Sequence, residues 1–229
     1  MKMKKLVMLA LAALVAIPVF AQEDEENRVY TASNGKAFIE VFDHIGYGYN
    51  FVQSNDYTPG WSGEFMFNIV EFCLRPAEVL GIDLGVDFAW STFDSKKNAF
   101  LQSNQLIKAG DFSHYVEGTI EKKNSGFEVL SLTAPLVVKG IFDKFVIGAG
   151  AFANWNIASD TYCHYRKDNL RADLYETKAK VNPFTYGFIA TVSYDEFGVY
   201  FKFYPKSSRL LPEGSVDLSY MTLGLVLGF

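Results

Sequence analysis

The C-terminal segment is the feature that most restricts what this chain can fold into. Met221, Leu223, Leu225, Leu227 and the final Phe229 are apolar and alternate with small or polar residues. Side chains of a β-strand point alternately to its two faces, so the pattern predicts a strand with one face in an apolar environment. Such a strand rises roughly 30 Å, and a tilt near 40° reduces its height to about 20–25 Å, which matches the apolar band of a membrane barrel.

The same alternation recurs upstream and is sharpest in residues 80–90, where Asp83 and Asp87 lie between apolar residues. Alternation also fits a soluble sandwich with an apolar core face, so it leaves a secreted β protein open. An even number of antiparallel strands closes a barrel, and eight is the smallest common size. The eight predicted strands are 37–51, 61–74, 80–90, 127–139, 145–157, 184–194, 198–204 and 221–229.

The lengths of the connections favour the barrel. Short connections at 75–78, 140–144 and 195–197 alternate with longer ones at 53–60, 94–126, 158–183 and 205–215. Outer-membrane barrels have short periplasmic turns and longer extracellular loops, whereas a sandwich has no reason to alternate. We therefore predict an all-β fold, an eight-stranded antiparallel up-and-down transmembrane β-barrel over residues 37–229.

Aromatic residues make up 16% of the chain and supply a second test. In the predicted topology Trp61 begins a strand, while Trp90 and Trp155 end strands of the opposite direction, so all three lie at the extracellular rim. Tryptophan prefers the headgroup level of a membrane. The periplasmic girdle is predicted to contain Phe145, Tyr194 and Phe229.

Asp43 disagrees with this pattern because it falls among the lipid-facing residues of the first predicted strand. A charge at mid-membrane costs roughly 2–4 kcal/mol. We therefore expect Asp43 near the periplasmic rim, or a bulge close to Gly46 that changes the register. Either arrangement leaves 45–51 as the spanning part.

Residues 1–21 have the layout of a cleavable signal peptide, with three lysines, the apolar run 6–17 and a small residue, Ala21, at the cleavage position. The run is shorter than the roughly 18 residues of a membrane anchor, and no lipoprotein cysteine follows it. Residues 22–36 are predicted to be a periplasmic tail; its acidic start, 22–26, is a solvated segment or a dock for a basic partner. The formal charge of −5 becomes more negative without the three lysines, which argues against nucleic acid as a partner.

The two cysteines, Cys73 and Cys163, fall at opposite ends of the predicted barrel. A disulfide requires Cα atoms within about 7 Å, so two free thiols are predicted.

Polar residues on the predicted inward face form the first candidate site. An eight-stranded barrel is just wide enough for side chains to fill it, so these residues are expected to form a hydrogen-bonded plug in which lysines compensate carboxylates. A proton or ion path is the alternative. The inward set is Glu40, His44, Glu64, Asn68, Asp83, Asp87, Lys139, Tyr200 and Lys202.

Two neighbouring segments, LTAPLVVK (132–139) and GAGAFA (148–153), resemble the central hairpin of the PorT-like outer-membrane barrel family. Gly140 and Ala151 stand where that family usually has an aromatic residue and a proline. The resemblance implies a small eight-stranded barrel, and some members serve as accessory proteins in secretion across the outer membrane. It implies no catalytic residue.

No catalytic, cofactor-binding or metal-binding residue is predicted. A hydrolase acting on membrane lipid needs a serine and a histidine together on the lipid-facing surface. His44 is predicted inside the barrel, and His114 and His164 in loops. Asp160, Cys163 and His164 match no zinc-ligand spacing.

The long connection 158–183 is the second candidate site. It is predicted to contact sugars, proteins or the phosphates of lipopolysaccharide. It mixes Arg166, Lys167, Arg171, Lys178 and Lys180 with four acids and with Tyr162, Tyr165 and Tyr175. The sequence thus favours a non-enzymatic barrel of the Gram-negative outer membrane that acts as an interaction, assembly or secretion-accessory subunit. Its expected partners are outer-membrane lipids, lipopolysaccharide, the barrel-assembly machinery through the C-terminal strand, and an envelope protein. A narrow pore, a lipid-modifying enzyme and a soluble barrel for an apolar ligand are the alternatives.

Overall fold

The computed structural model describes residues 28–32, 36–54, 58–96, 99–102, 105–108, 120–167, 170–177, 179–213 and 218–228. Within these ranges no helix has the length and apolarity needed to cross a bilayer. The strands found there are β1 (Arg28–Thr31), β2 (Ala37–Glu40), β3 (His44–Gln53), β4 (Thr58–Pro59), β5 (Gly63–Ala77), β6 (Leu80–Lys96), β7 (Ala99–Gln102), β8 (Gln105–Lys108), β9 (Ile120–Phe142), β10 (Phe145–Lys167), β11 (Leu170–Thr177), β12 (Phe184–Tyr194), β13 (Phe197–Phe203) and β14 (Ser219–Gly228).

Eight of the described strands close into an antiparallel barrel. Going round the wall, the order is β3, β5, β6, β9, β10, β12, β13 and β14, and β14 pairs again with β3. The closing ladder joins Gly228 to His44 at one end and Ser219 to Gln53 at the other. The predicted fold class, an eight-stranded antiparallel barrel, is confirmed.

The short turns all lie at one end of the barrel. Two-residue turns at 78–79, 143–144 and 195–196 join β5 to β6, β9 to β10 and β12 to β13. Asp143 and Asp195 have φ angles of 56° and 55°, and such tight hairpin turns often require positive φ, which Asp tolerates better than most residues. We call this the short-turn end, and the opposite one the long-loop end.

The first predicted strand is broken in two. β2 pairs with residues 71–74 of β5 and β3 pairs with residues 63–67, while residues 41–43 between them form no ladder. The break contains Phe42, whose φ of 56° is rare for a bulky side chain. The register therefore changes at 41–43 and not near Gly46, and Asp43 lies at the short-turn end.

The strands continue into the predicted long loops. β6 reaches Lys96, β9 begins at Ile120 and β10 extends to Lys167, where β11 folds back on it. The predicted loops 94–126 and 158–183 are thus partly strand. The alternation of apolar residues ends where the lipid would end, but the backbone pairing continues beyond that height. The sequence pattern therefore indicates the membrane-spanning part of each strand and not the full length of the strand.

The outside of the barrel is apolar and exposed. Phe184, Phe197 and Leu225 are 70%, 68% and 67% exposed, and every barrel strand contributes at least one large apolar side chain to this surface. A water-soluble protein rarely exposes an apolar patch larger than a few hundred Å². The barrel is therefore of the membrane-spanning kind, with polar residues inside and apolar residues outside.

Aromatic residues frame this band. Trp61 and Trp155 are exposed at the long-loop end, and Trp90 lies there on β6. At the short-turn end Phe145 pairs directly with Tyr194 on the ladder. These positions match the two predicted girdles, except that Phe229 lies outside the described residues.

Candidate functional site

The middle of the lumen is occupied by a buried ion pair. Lys202 of β13 donates to Oε1 of Glu64 on β5, with an Nζ–O distance of 2.7 Å, and both side chains are at most 2% exposed. The Tyr200 hydroxyl and the Ser91 hydroxyl also donate to Glu64, at 3.3 and 3.5 Å. Partners on both oxygens offset the loss of water around this carboxylate. The pair joins opposite parts of the wall and fills the lumen between them.

Tyr200 needs glycines on the strands that face it. A Cβ added to Gly48 would lie 2.5 Å from the Tyr200 hydroxyl oxygen, and one added to Gly46 would lie 3.3 Å from its ring. Gly224 on β14 also faces this ring. The glycine alternation of β3 and β14 therefore makes room for one aromatic side chain in a narrow barrel.

A second set of charges lies in the lumen at the short-turn end. Lys139 of β9 contacts Asp83 with an Nζ–O distance of 2.6 Å and reaches Glu71 at 3.4 Å. Arg75 of β5 donates to Asp83 from both terminal nitrogens. Asp83 is buried, and these contacts give it two cationic partners. Such sharing is the usual condition for a carboxylate inside a protein.

His44 and Asp43 lie at the mouth of the same end. The two side chains contact each other, with an Nδ1–Oδ2 distance of 3.1 Å, and the other ring nitrogen of His44 lies 3.9 Å from Asp87. Asp87 accepts a hydrogen bond from the Asn68 amide at 2.9 Å. The predicted inward residues are thus brought together, and Glu40 also joins them, since its carboxylate accepts from Cys73 at 3.4 Å.

At the short-turn end the structure adds lumenal residues that sequence reasoning missed, among them Glu71, Cys73 and Arg75. The ladder between β5 and β6 shifts between Asn68 and Val70, so one extra residue changes which positions face inward. Even-numbered residues face the lumen before the shift and odd-numbered ones after it. The signal available in the sequence was the pair of adjacent apolar residues at 69–70, which interrupts the alternation.

The long-loop end of the lumen is closed by rings and aliphatic side chains. Phe93 stacks on Phe127 with ring centroids 4.8 Å apart, and Tyr204 stacks on Tyr220 at 4.0 Å. Phe93 meets Tyr220 edge to face at 4.9 Å, which joins the two stacks. Further buried residues pack on these rings, namely Phe152, Val129, Ala179, Leu210, Leu211 and Leu218. We call this cluster the apolar cap.

Several residues singled out in the sequence stand outside this network. Cys73 is a free buried thiol as predicted, whereas the side chain of Cys163 lies outside what the structure describes. The backbone of residues 160–164 forms part of β10. Residues 113 and 114, and the side chains of 165–178, also lie outside the described part of the chain.

Comparisons with known proteins give weak likenesses. No family model matches the sequence, and no curated protein matches it significantly. Among solved structures, Ail, the attachment invasion locus protein of Yersinia pestis, is 14% identical with a TM-score of 0.35, covering 85% of this chain and 98% of its own. Its complex with the heparin analogue sucrose octasulfate is 12% identical with a TM-score of 0.37 over the same shares. A major outer membrane protein of Thermus thermophilus is 13% identical with a TM-score of 0.28, covering 81% and 99%. The barrel assignment rests on the strand pairing itself, and the PorT-like resemblance stays a prediction.

Proposed function

We propose that this chain is a non-enzymatic protein of the Gram-negative outer membrane that binds partners through an extracellular blade of strands. The observation that carries the proposal is the continuation of the strands beyond the apolar band. We call the continued part the blade; it consists of residues 120–130 of β9, residues 158–167 of β10 and all of β11. The lumen offers no comparable surface, because its middle and its long-loop end are filled with side chains.

The blade begins where the exposed apolar side chains end. Among the side chains of β10 that the structure describes, Trp155 and Ile157 are the last large exposed apolar ones. From there β10 continues to Lys167, which at about 3.3 Å per residue is roughly 30 Å of further strand. It is paired on one side with β9 and on the other with β11. A strand of that length, paired on both sides, extends well beyond the lipid headgroups.

The blade is also tied to the neighbouring wall. The Tyr162 hydroxyl of β10 donates to Asp94 of β6, and β6 remains paired with β9 as far as Ser95 and Ser125. These contacts support a fixed surface above the membrane, on which partner contacts are pre-organised.

The blade carries side chains that suit a partner with phosphates and sugars. The segment 158–183 mixes cations with four acids and three tyrosines. The cations are Arg166, Lys167, Arg171, Lys178 and Lys180, and the acids are Asp160, Asp168, Asp173 and Glu176. Arginine binds phosphate through paired hydrogen bonds and tyrosine stacks on sugars and rings. The phosphates and sugars of lipopolysaccharide present this chemistry next to the barrel. The blade could equally present its surface to a protein of the envelope, and a secretion-accessory role would be one case of such binding.

A lumenal pore is less well supported. The Glu64–Lys202 pair and Tyr200 fill the middle, and the apolar cap closes the long-loop end. A lipid-modifying enzyme would need a histidine on the lipid-facing surface. Among the described residues, His44 lies in the lumen and His164 lies in the blade.

The test compares charge variants in two parts of the molecule. R166Q/K167Q/R171Q removes cations from the blade, and K144Q/K206Q/R209Q removes the same number elsewhere. We expect the blade variant to bind purified lipopolysaccharide at least about tenfold more weakly, with the remaining affinity lost as salt rises, since exposed charges are screened. Isothermal titration of the detergent-solubilised barrel measures this.

Equal affinity of the blade variant and the wild type would refute the anionic partner. If an envelope protein then co-purified with the wild type and not with the blade variant, the partner of the blade would be a protein. Density-gradient separation of the membranes tests the location itself, because an outer-membrane protein bands with lipopolysaccharide and not with inner-membrane enzymes.

The C-terminal strand is proposed as the segment that the barrel-assembly machinery recognises. β14 closes the barrel on β3, and Phe229 follows it directly in the sequence. Deleting Phe229 should lower the amount of folded barrel in the membrane while export across the inner membrane continues. Quantifying the mature protein in periplasm and membrane checks this, and unchanged assembly would argue against it.

A further inference from the structure

Metal-ligating atoms converge at the short-turn end of the lumen. One ligand atom from each of Asp43, His44 and Glu71 lies within 4.8 Å of the others. A second set, Glu40, Glu71 and Cys73, meets the same condition and shares Glu71. Imidazole nitrogen with carboxylate oxygen is a donor set that zinc and similar divalent ions bind well.

Glu71 carries an observation that a charge network alone does not explain. Its side chain is buried, with the residue 5% exposed, and its Oε2 has no hydrogen-bond partner among the described residues. Lys139 reaches only Oε1, at 3.4 Å. A buried carboxylate oxygen without a partner is expensive, because the water it loses is not replaced. A cation bound to Oε2 would take the place of the lost water.

The charge balance of this region points the same way. Carboxylates crowd this region, and Lys139 and Arg75 both contact the same one, Asp83. The carboxylates of this end are Glu40, Asp43, Glu71, Asp83 and Asp87. Closely packed buried carboxylates repel one another, and a divalent cation is the compact means of neutralising two of them.

The site is open to solvent on one side. The side chains of Asp43 and His44 are 29% and 19% exposed, whereas Glu71 is deeper. An ion therefore has an entry path from the short-turn end, while the apolar cap closes the other end. Accessible outer ligands and a buried inner one are what a site that loads after folding needs.

The ligands also belong to segments that need to be held together. Asp43 and His44 flank the end of the break at 41–43, and Glu71 lies on β5, where β2 rather than β3 is its partner. Phe42, next to Asp43, has the unfavourable φ of 56°. A bound ion would fix this turn against the wall of the barrel and offset the backbone strain.

We propose that Asp43, His44 and Glu71 bind a divalent transition-metal ion of the zinc class, with water completing its coordination. The ion neutralises Glu71 and clamps the first barrel strand to β5. This site is independent of the blade, so the two proposals stand or fall separately.

The test uses the full barrel folded in detergent micelles and treated with a chelator. Titration with Co²⁺ is followed by visible absorption, and Zn²⁺ is then added as a competitor. We expect one equivalent of Co²⁺ to bind, with a spectrum that Zn²⁺ abolishes. H44Q and E71Q should each weaken binding by at least about tenfold, since even outer-sphere changes at metal sites cost 10–100-fold.

H164Q and E213Q are the matched controls, because each removes the same kind of group at the long-loop end, away from the site, and should bind as the wild type does. A heat-dependent shift in gel mobility shows whether each variant is a folded barrel. Wild-type protein that binds no Co²⁺ or Zn²⁺ at millimolar concentration would overturn the proposal. So would H44Q and E71Q binding as tightly as the controls, or a loss of binding in C73S with H44Q unaffected, which would move the ion to the other ligand set.

Discussion

The two ends of the lumen are built by the same strands and have opposite chemistry. On β6 the inward residues near the short-turn end are Asp83 and Asp87, whereas Phe93 faces inward near the long-loop end. β9 shows the same change, from Lys139 to Phe127. One end of the lumen therefore resembles a protein surface turned inward and the other a soluble protein core.

This difference shows that a narrow barrel can be closed in two ways. At the short-turn end, charged side chains pair with one another, except at Oε2 of Glu71, and the mouth remains within reach of water. At the long-loop end, rings pack tightly, and Leu210, Leu211 and Leu218 of the connection after β13 pack onto them. Between the two ends stands the Glu64–Lys202 pair, which is buried from both sides. Variants in each region should show how much the charges of the short-turn end, the apolar cap and the central ion pair each contribute to the free energy of unfolding.

The largest effect is expected in the middle of the lumen. Lys202→Met should destabilise the barrel by about 3–5 kcal/mol, because it leaves the Glu64 carboxylate buried without its cation. Urea unfolding in detergent micelles measures the loss. The double variant E64Q/K202M should recover much of it, since both charges are then gone. A double variant as unstable as K202M would mean that the lysine stem, and not the charge, is what matters.

The apolar cap should come next. Phe127→Ala removes a buried ring that stacks on Phe93 and should cost about 3 kcal/mol, within the range for a large-to-small core change. Planar-bilayer recording of the same variant should still show no conductance, because Tyr200 and the Glu64–Lys202 pair continue to fill the middle. Conductance steps in F127A would show that the cap is the main barrier to ions.

Crowding around Tyr200 should have an intermediate effect. Gly48→Ala places a Cβ about where the Tyr200 hydroxyl oxygen needs space and should cost roughly 1–2 kcal/mol. Tyr200→Phe removes that oxygen, so G48A should be less costly in the Y200F background. A double-mutant cycle in urea measures the coupling energy, and purely additive effects would contradict the proposed contact.

The smallest effect is expected at the exposed pair of the short turns. Lys144 and Asp195 are 3.0 Å apart and their side chains are more than half exposed. Lys144→Met should change stability by at most about 0.5 kcal/mol, because exposed ion pairs contribute little. A change comparable to that of K202M would mean that burial is not what gives the lumenal pair its value.

Much of this architecture could be predicted from the sequence because lipid imposes a simple rule on outward residues. The alternation of residues 184–194 predicted β12 with its observed bounds. The same rule could not place strand ends above the membrane, since polar residues of the blade alternate with other polar residues. It also could not detect positions where the backbone departs from regular pairing, as at Phe42 and between Asn68 and Val70.

The candidate site was therefore predicted in part. Residues such as Glu64 and Lys202 follow the regular alternation and were expected inside. Glu71, Cys73 and Arg75 were not, because their orientation depends on one extra residue upstream. The pairing of specific charges also requires knowledge of which strands face each other across the lumen, and alternation along one strand does not contain that information.

The register shift in β5 gives the strand an unusual response to changes in length. Most membrane strands of a barrel can be lengthened at a loop without changing which side chains meet lipid. In β5, residue 69 is extra to the ladder, so its deletion would leave Val70 opposite Val86 and keep Glu71 facing the lumen. One more residue inserted there would instead turn Glu71 and Arg75 towards the bilayer. Loss of residue 69 should therefore be tolerated over evolutionary time, whereas an insertion there, or a single-residue deletion in a regular part of the strand, should be eliminated.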